Sequence, residues 1–150
     1  MVPDRILVAT DGSASAQAAE LFAANLAAKL GGTRVTVVTV VRPREVPAAR
    51  GGFNLAPLNQ EELVAAQELL AESEERIRAA ASGGDVVVDS LLIEDRSPAA
   101  GIVDAAHEDG TCSLIVVGSR GHGGLASLLL GSVSTQVLHA AHCPVLVIRG

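Results

Sequence analysis

The chain is 150 residues long, carries a formal net charge of −6, and holds only two aromatic residues, Phe22 and Phe53. This composition argues against stacking recognition of single-stranded nucleic acid and against broad phosphate-backbone binding, and no apolar run nears the ~18 residues of a membrane span. One cytoplasmic domain over 1–150 is expected, with no nucleic-acid or membrane partner; Cys112 and Cys143 are too few for a disulfide framework and lack metal-type spacing.

In chain order, Arg5 to Ala9 is a short continuous apolar run ended by Thr10-Asp-Gly12, the pattern of a buried parallel strand. Ser13 to Leu30 has helical spacing, with Ala18, Leu21, Phe22, Leu26 and Leu30 expected on the inner face and Gly31-Gly32 as the stop. Thr33 to Val41 is rich in β-branched residues and predicts a second strand. Residues 42–60, with Pro43, Pro47 and Pro57, predict a long loop. A helix then runs from about Glu61 through Arg78, with Leu63, Leu69, Leu70 and Ile77 as its apolar positions. Val86 to Ile93 is the third strand.

Ser97-Pro98 opens another helix, with serine as N-cap and proline at the first helical position, and Ile102, Val103 and Ala106 are expected inside. Cys112 to Val117 predicts a fourth strand, Ser132 to Ala141 a helix, and Pro144 to Ile148 a fifth strand. Strands alternating with helices imply an α/β fold: a doubly wound, five-stranded parallel sheet covered on both faces, in strand order 3-2-1-4-5.

The stretch Gly118-Ser-Arg-Gly121, followed after nine residues by Gly131-Ser132, is the strongest ligand signal. It follows a buried strand and opens a helix, the setting in which bare backbone amides bind phosphate and glycine permits close approach. From Gly110 onward there is no Asp or Glu, so the anion-binding candidate lies in the carboxylate-free part of an acidic chain. The amides of Val133, Ser134 and Thr135 are expected to lack helical partners, Ser132 and Ser134 add hydroxyls, and Arg120 is a candidate phosphate partner. If strands one and four are neighbours at the topological switch point, Asp11 joins the same crevice. There it can accept from a ribose, hold a divalent cation directly or through water, or simply cap the turn.

Other chemistries fit poorly. The only lysine, Lys29, lies mid-helix, which removes the P-loop motif; Gly121-His-Gly123-Gly-Leu-Ala126 fits a relaxed dinucleotide pattern but lacks the acidic residue that should follow it. His139 and His142 can share a helix face, yet no carboxylate accompanies them, and among the histidines His122 alone falls inside the glycine loop. Cys112 and Cys143 precede strands expected to be adjacent and are candidates for a reversible disulfide.

Taken together, Ile6-Leu-Val-Ala-Thr-Asp-Gly-Ser13, Leu114-Ile-Val-Val-Gly118, the spacing GxxGx9GS over 118–132 and Cys143-Pro-Val-Leu-Val147 resemble the universal stress protein family over essentially the whole chain. The resemblance implies ATP as ligand, with magnesium or manganese. It places Ala9, Thr10 and Asp11 on the nucleoside side, Val40 or Val41 against adenine, and Gly118, Gly121, Gly131, Ser132, Val133 and Ser134 around ribose and phosphates. It also implies a homodimer through Pro144 to Ile148. Ser113, where the family often has an acidic residue, and Glu94 to Ser97, where a glycine is common, depart from the pattern. The resulting expectation is a nucleotide-dependent stress or signalling module with at most slow hydrolysis or autophosphorylation. The alternatives are a non-catalytic dimeric adaptor, a cyclic AMP binder and, further off, an adenylating enzyme.

Overall fold

The computed structural model describes residues 3–108, 114–120 and 129–150. Five parallel strands form the main sheet: β1 (Arg5–Ala9), β2 (Arg34–Val41), β5 (Val87–Glu94), β6 (Leu114–Gly118) and β7 (Val145–Ile148), in the order β5-β2-β1-β6-β7. Counted among these five alone, that order is the expected 3-2-1-4-5. The central strands are buried on both faces, as Ile6, Leu7, Val8, Val35, Val37 and Val38 have no exposed surface. Parallel strands of this kind are read from continuous rather than alternating apolar runs.

Helices α1 (Ala14–Leu30) and α2 (Gln60–Ala80) cover one face; α3 (Pro98–His107) and α4 (Ser132–Ala140) cover the other. The starts of α1, α2 and α3 are encoded locally. Ser13 accepts from Ala16 N–H, Ser97 accepts from Ala100 N–H ahead of Pro98, and Asn59 and Glu62 form a reciprocal capping box that places the start of α2 at Gln60. Ile102, Val103 and Ala106 of α3 are buried as expected.

Two expectations fail. Residues 42–60 are not simply a loop: β3 (Arg44–Pro47) pairs antiparallel with β4 (Phe53–Ala56) in a separate two-stranded hairpin. Gly51, at φ +87°, closes the turn by donating its N–H to the Ala48 carbonyl, and Pro47 is tolerated at the strand end because an isolated ribbon leaves one side of each strand without a ladder. The inner face of α1 is also rotated from the one expected. Ala16, Ala19, Ala23, Ala24 and Ala27 are buried, whereas Leu21 and Phe22 are 41% and 42% exposed. Alanines let the helix axis come close to the sheet, and that proximity leaves no room for leucine or phenylalanine between them.

Candidate functional site

The crossovers place α1 after β1 on one face and α4 after β6 on the other, so the adjacent strands β1 and β6 part at their carboxyl ends. A cavity of about 390 Å³ opens there. Its wall is aliphatic, formed by Ala9, Val38, Val40, Ile102 and Val117 with Pro98, and its other end is polar, formed by Asp11, Arg120 and the 131–134 segment. Such a mix of apolar surface and a few convergent polar groups is the general form of a small-molecule site.

The polar end is the start of α4. Its N-cap is Gly131, with no side-chain cap bond, and the first helical bond runs from Thr135 N–H to the Gly131 carbonyl at 3.0 Å. This corrects the expected register: the amides without helical acceptors are those of Ser132, Val133 and Ser134, and Thr135 is already paired. The contrast with α3 is local, because Ser97 occupies the corresponding place there and caps Ala100.

The hydroxyl of Ser134 is committed elsewhere, donating toward the carbonyls of Ser119 (3.2 Å) and Gly131 (3.0 Å). The Ser119 carbonyl also accepts from Gly131 N–H at 2.7 Å, so the two ends of the glycine-rich segment are pinned together. From the other side, Ser13 and Ser15 at the start of α1 donate to the Arg120 carbonyl, and Arg120 N–H returns a bond to Ser15 Oγ at 3.2 Å. Gly118 is required by that same contact. A Cβ there would lie 2.6 Å from Ser15 Oγ and 2.7 Å from the Ser15 carbonyl carbon, so the docking of α1 requires this glycine, which also lines the cavity.

Of the residues singled out from sequence, Ala9, Thr10, Asp11, Val40, Gly118, Arg120, Gly131, Ser132, Val133 and Ser134 line this one cavity. Val41 does not. It follows Val40 on a strand and so points to the opposite face, and its carbonyl accepts from Asp95 N–H. Gly121 lies outside the described residues, as do His122, Cys112 and Ser113. Thr10 reaches the cavity, but its hydroxyl donates to Glu20 on α1 at 2.6 Å. Asp11 is exposed at the rim and accepts from Ser13 N–H at 2.9 Å, so it is both a turn former and a cavity residue.

Ala16, Val38, Pro98, Ile102 and Val117 line the cavity and were not foreseen as site residues. Val38 shares the face of Val40 by strand period, and Ile102 that of Pro98 by helix period; knowing which strand end α3 covers was the missing piece. Of the histidines, His139 lies in the last turn of α4 and His142 beyond it. His142 stacks obliquely on His107, ring centroids 5.2 Å apart, instead of sharing a face with His139. Among the described residues no group of three or more metal-ligating side chains occurs, and no helix is long and apolar enough to cross a membrane.

The profile of the Universal stress protein family matches residues 3–149. The chain belongs to that family. It is 38% identical over 146 residues to a universal stress protein of Thermus aquaticus, covering 96% of this chain and 97% of that one. It is also 37% identical over 149 residues to universal stress protein Rv2005c of Mycobacterium tuberculosis; the match covers 96% of this chain and 45% of the relative, so the chain spans under half the length of such mycobacterial relatives. Among solved structures, universal stress protein UspA from Lactobacillus plantarum superposes with a TM-score of 0.74 at 22% identity, covering 99% of both chains. The Archaeoglobus fulgidus universal stress protein in complex with dAMP superposes at 0.70 with 29% identity, again covering 99% of both.

Proposed function

We propose that this family member binds adenine nucleotides, ATP with magnesium or manganese foremost, and acts in the cytoplasm as a nucleotide-dependent stress or signalling module. The observation that carries the reading is the meeting, in one cavity, of an aliphatic wall with a helix start whose amides no side chain caps. The A. fulgidus relative, in complex with dAMP, supports the same ligand class.

In this reading adenine lies against Val38, Val40 and Ile102, an aliphatic clamp in a chain nearly without aromatics. The phosphates face the amides of Ser132, Val133 and Ser134, where the helix dipole and three unshared donors favour negative charge, with Arg120 beside them. Asp11 at the rim would meet the ribose or hold the cation, directly or through water. A bound cation would supply charge neutralisation between phosphate oxygens. The chain's own groups bind and orient, and Lys29, the only lysine, is an exposed residue of α1, so we read a sensor rather than a rapid phosphoryl-transfer enzyme. Strand β7, at the sheet edge and half-buried along its length, is the proposed homodimer contact.

Calorimetric titration with ATP and Mg²⁺ tests the proposal. Saturable heat is expected, and no saturation at millimolar nucleotide would end it. Cyclic AMP, bound by another structural relative, is the second ligand to titrate; tighter binding of cyclic AMP than of ATP would favour the alternative reading.

A further inference from the structure

Glu20 lies in the middle of α1, on the helix face otherwise lined by Ser15 and five alanines, and is completely buried. Burying a carboxylate costs desolvation that an ion pair does not reliably recover, so its presence is poor evidence of a stabilising role. Its contacts point to a different one. Oε1 accepts from Thr10 Oγ1 at 2.6 Å and from Ser73 Oγ at 2.8 Å; Oε2 accepts from Arg76 Nε at 2.7 Å. Ser73 and Arg76 belong to α2, whereas Thr10 is the first residue beyond β1, at the cavity rim.

Thr10 has a single hydroxyl proton, and Glu20 takes it. That fixes the rotor and leaves a lone pair for Gly12 N–H, which donates to Thr10 Oγ1 at 3.2 Å. The rest of Thr10 is also held: its N–H donates to the Val38 carbonyl at 2.8 Å, and its carbonyl accepts from Thr39 Oγ1 at 2.9 Å. The hydroxyl and the N–H are thereby committed within the protein. What they fix is the path of the chain from 10 to 12, and hence the direction in which Asp11, the only carboxylate at the cavity among the described residues, is presented.

We propose that Glu20 and Thr10 are positioning residues for the nucleotide site: the buried carboxylate locks the Thr10 hydroxyl, and the locked hydroxyl holds the turn that aims Asp11 into the cavity. The proposal rests on the nucleotide-binding reading and adds to it a physical link from α2 to the rim. Thr10 therefore acts through Asp11 and not on the ligand.

The test is a double-mutant cycle read by calorimetry with ATP and Mg²⁺, with thermal melts to confirm folding. Thr10→Val keeps the shape and leaves Glu20 with its two α2 partners, yet removes the acceptor for Gly12 N–H. It is expected to weaken binding about tenfold, the equivalent of one buried hydrogen bond, while Thr10→Ser recovers most of the affinity. Where the valine variant does not fold, Thr10→Ala gives the same contrast with serine. Asp11→Asn is expected to weaken binding on its own, and adding Thr10→Val to it should cost little more, within about twofold. Unchanged affinity in Thr10→Val, an inert Asp11→Asn, or multiplicative losses in the double variant would each overturn the inference while leaving nucleotide binding intact. Absence of binding by the unaltered protein would overturn the nucleotide reading itself, a result separately visible.

Discussion

The two faces of the sheet carry similar cargo, a pair of helices each, and behave differently. On the face of α1 and α2, alanines bring α1 close, and the buried carboxylate of Glu20 is closed off by Thr10, Ser73 and Arg76. On the face of α3 and α4, the packing is tight around Leu7, Ile115 and Val137 but opens at the carboxyl ends of the strands into the cavity. The sealed face therefore gives the rigidity, and the open one gives the site. Thr10 stands at their meeting, with its side chain in one face and its neighbour Asp11 at the rim of the other.

The sealed face breaks most severely. Arg76→Met would leave the Glu20 carboxylate buried without its cation. Because Arg76 is itself partly exposed, with 29% of its side-chain surface accessible, the expected loss is at the lower end for a broken buried pair, about 3 kcal/mol in urea unfolding. A loss below about 0.5 kcal/mol would mean that the pair is as weak as a surface one.

The open face should respond in affinity rather than stability. Gly101 sits inside α3, where glycine costs about 1 kcal/mol relative to alanine, and its position is explained by contact. A Cβ there would lie 3.1 Å from Ile93 Cγ2 and 3.3 Å from Val40 Cγ1, and Val40 lines the cavity. In Gly101→Ala the gain in helix propensity and the crowding should nearly cancel in thermal unfolding, while Val40 is pressed toward the adenine side and nucleotide binding weakens several-fold. Wild-type affinity in this variant would show that the cavity wall is more pliant than its packing suggests.

The smallest effect is expected on the outer side of α1. Leu21→Ser and Phe22→Ser, at positions that a helical wheel drawn from sequence would bury, should each change stability by no more than about 0.5 kcal/mol, as surface substitutions do. A cost of several kcal/mol would mean that Leu21 and Phe22 lie on the inner face of α1 after all.

That misplaced face shows where sequence stops being informative. The strands are legible because Ile6 to Val8 is a continuous apolar run and Val35 to Val41 is built wholly of β-branched valine and threonine, patterns that a doubly covered sheet accommodates. The helix starts are legible because Ser97-Pro98 carries its own chemistry. Burial of α1, by contrast, is decided by the width of the gap it fills, and a gap is a property of two elements at once; size alone favoured Leu21 and Phe22. The short hairpin of β3 and β4 was obscured by its prolines. For the site, Asp11 and Gly131 were visible as residue types at strand and helix ends, whereas Pro98 and Ile102 enter only because a crossover lays α3 over β2. The structural reason for Gly118 was equally hidden, since Ser15 is over a hundred residues away in sequence.

In the proposed function the start of α4, without a side-chain cap, receives the phosphates, while the capped start of α3 does not. Amide proton–nitrogen spectra recorded through a titration with ATP and Mg²⁺ test this directly. The resonances of Ser132, Val133 and Ser134 are expected to move farthest and saturate together, with Ala99 and Ala100 little affected. Saturable nucleotide binding that leaves those three amides unmoved would contradict it.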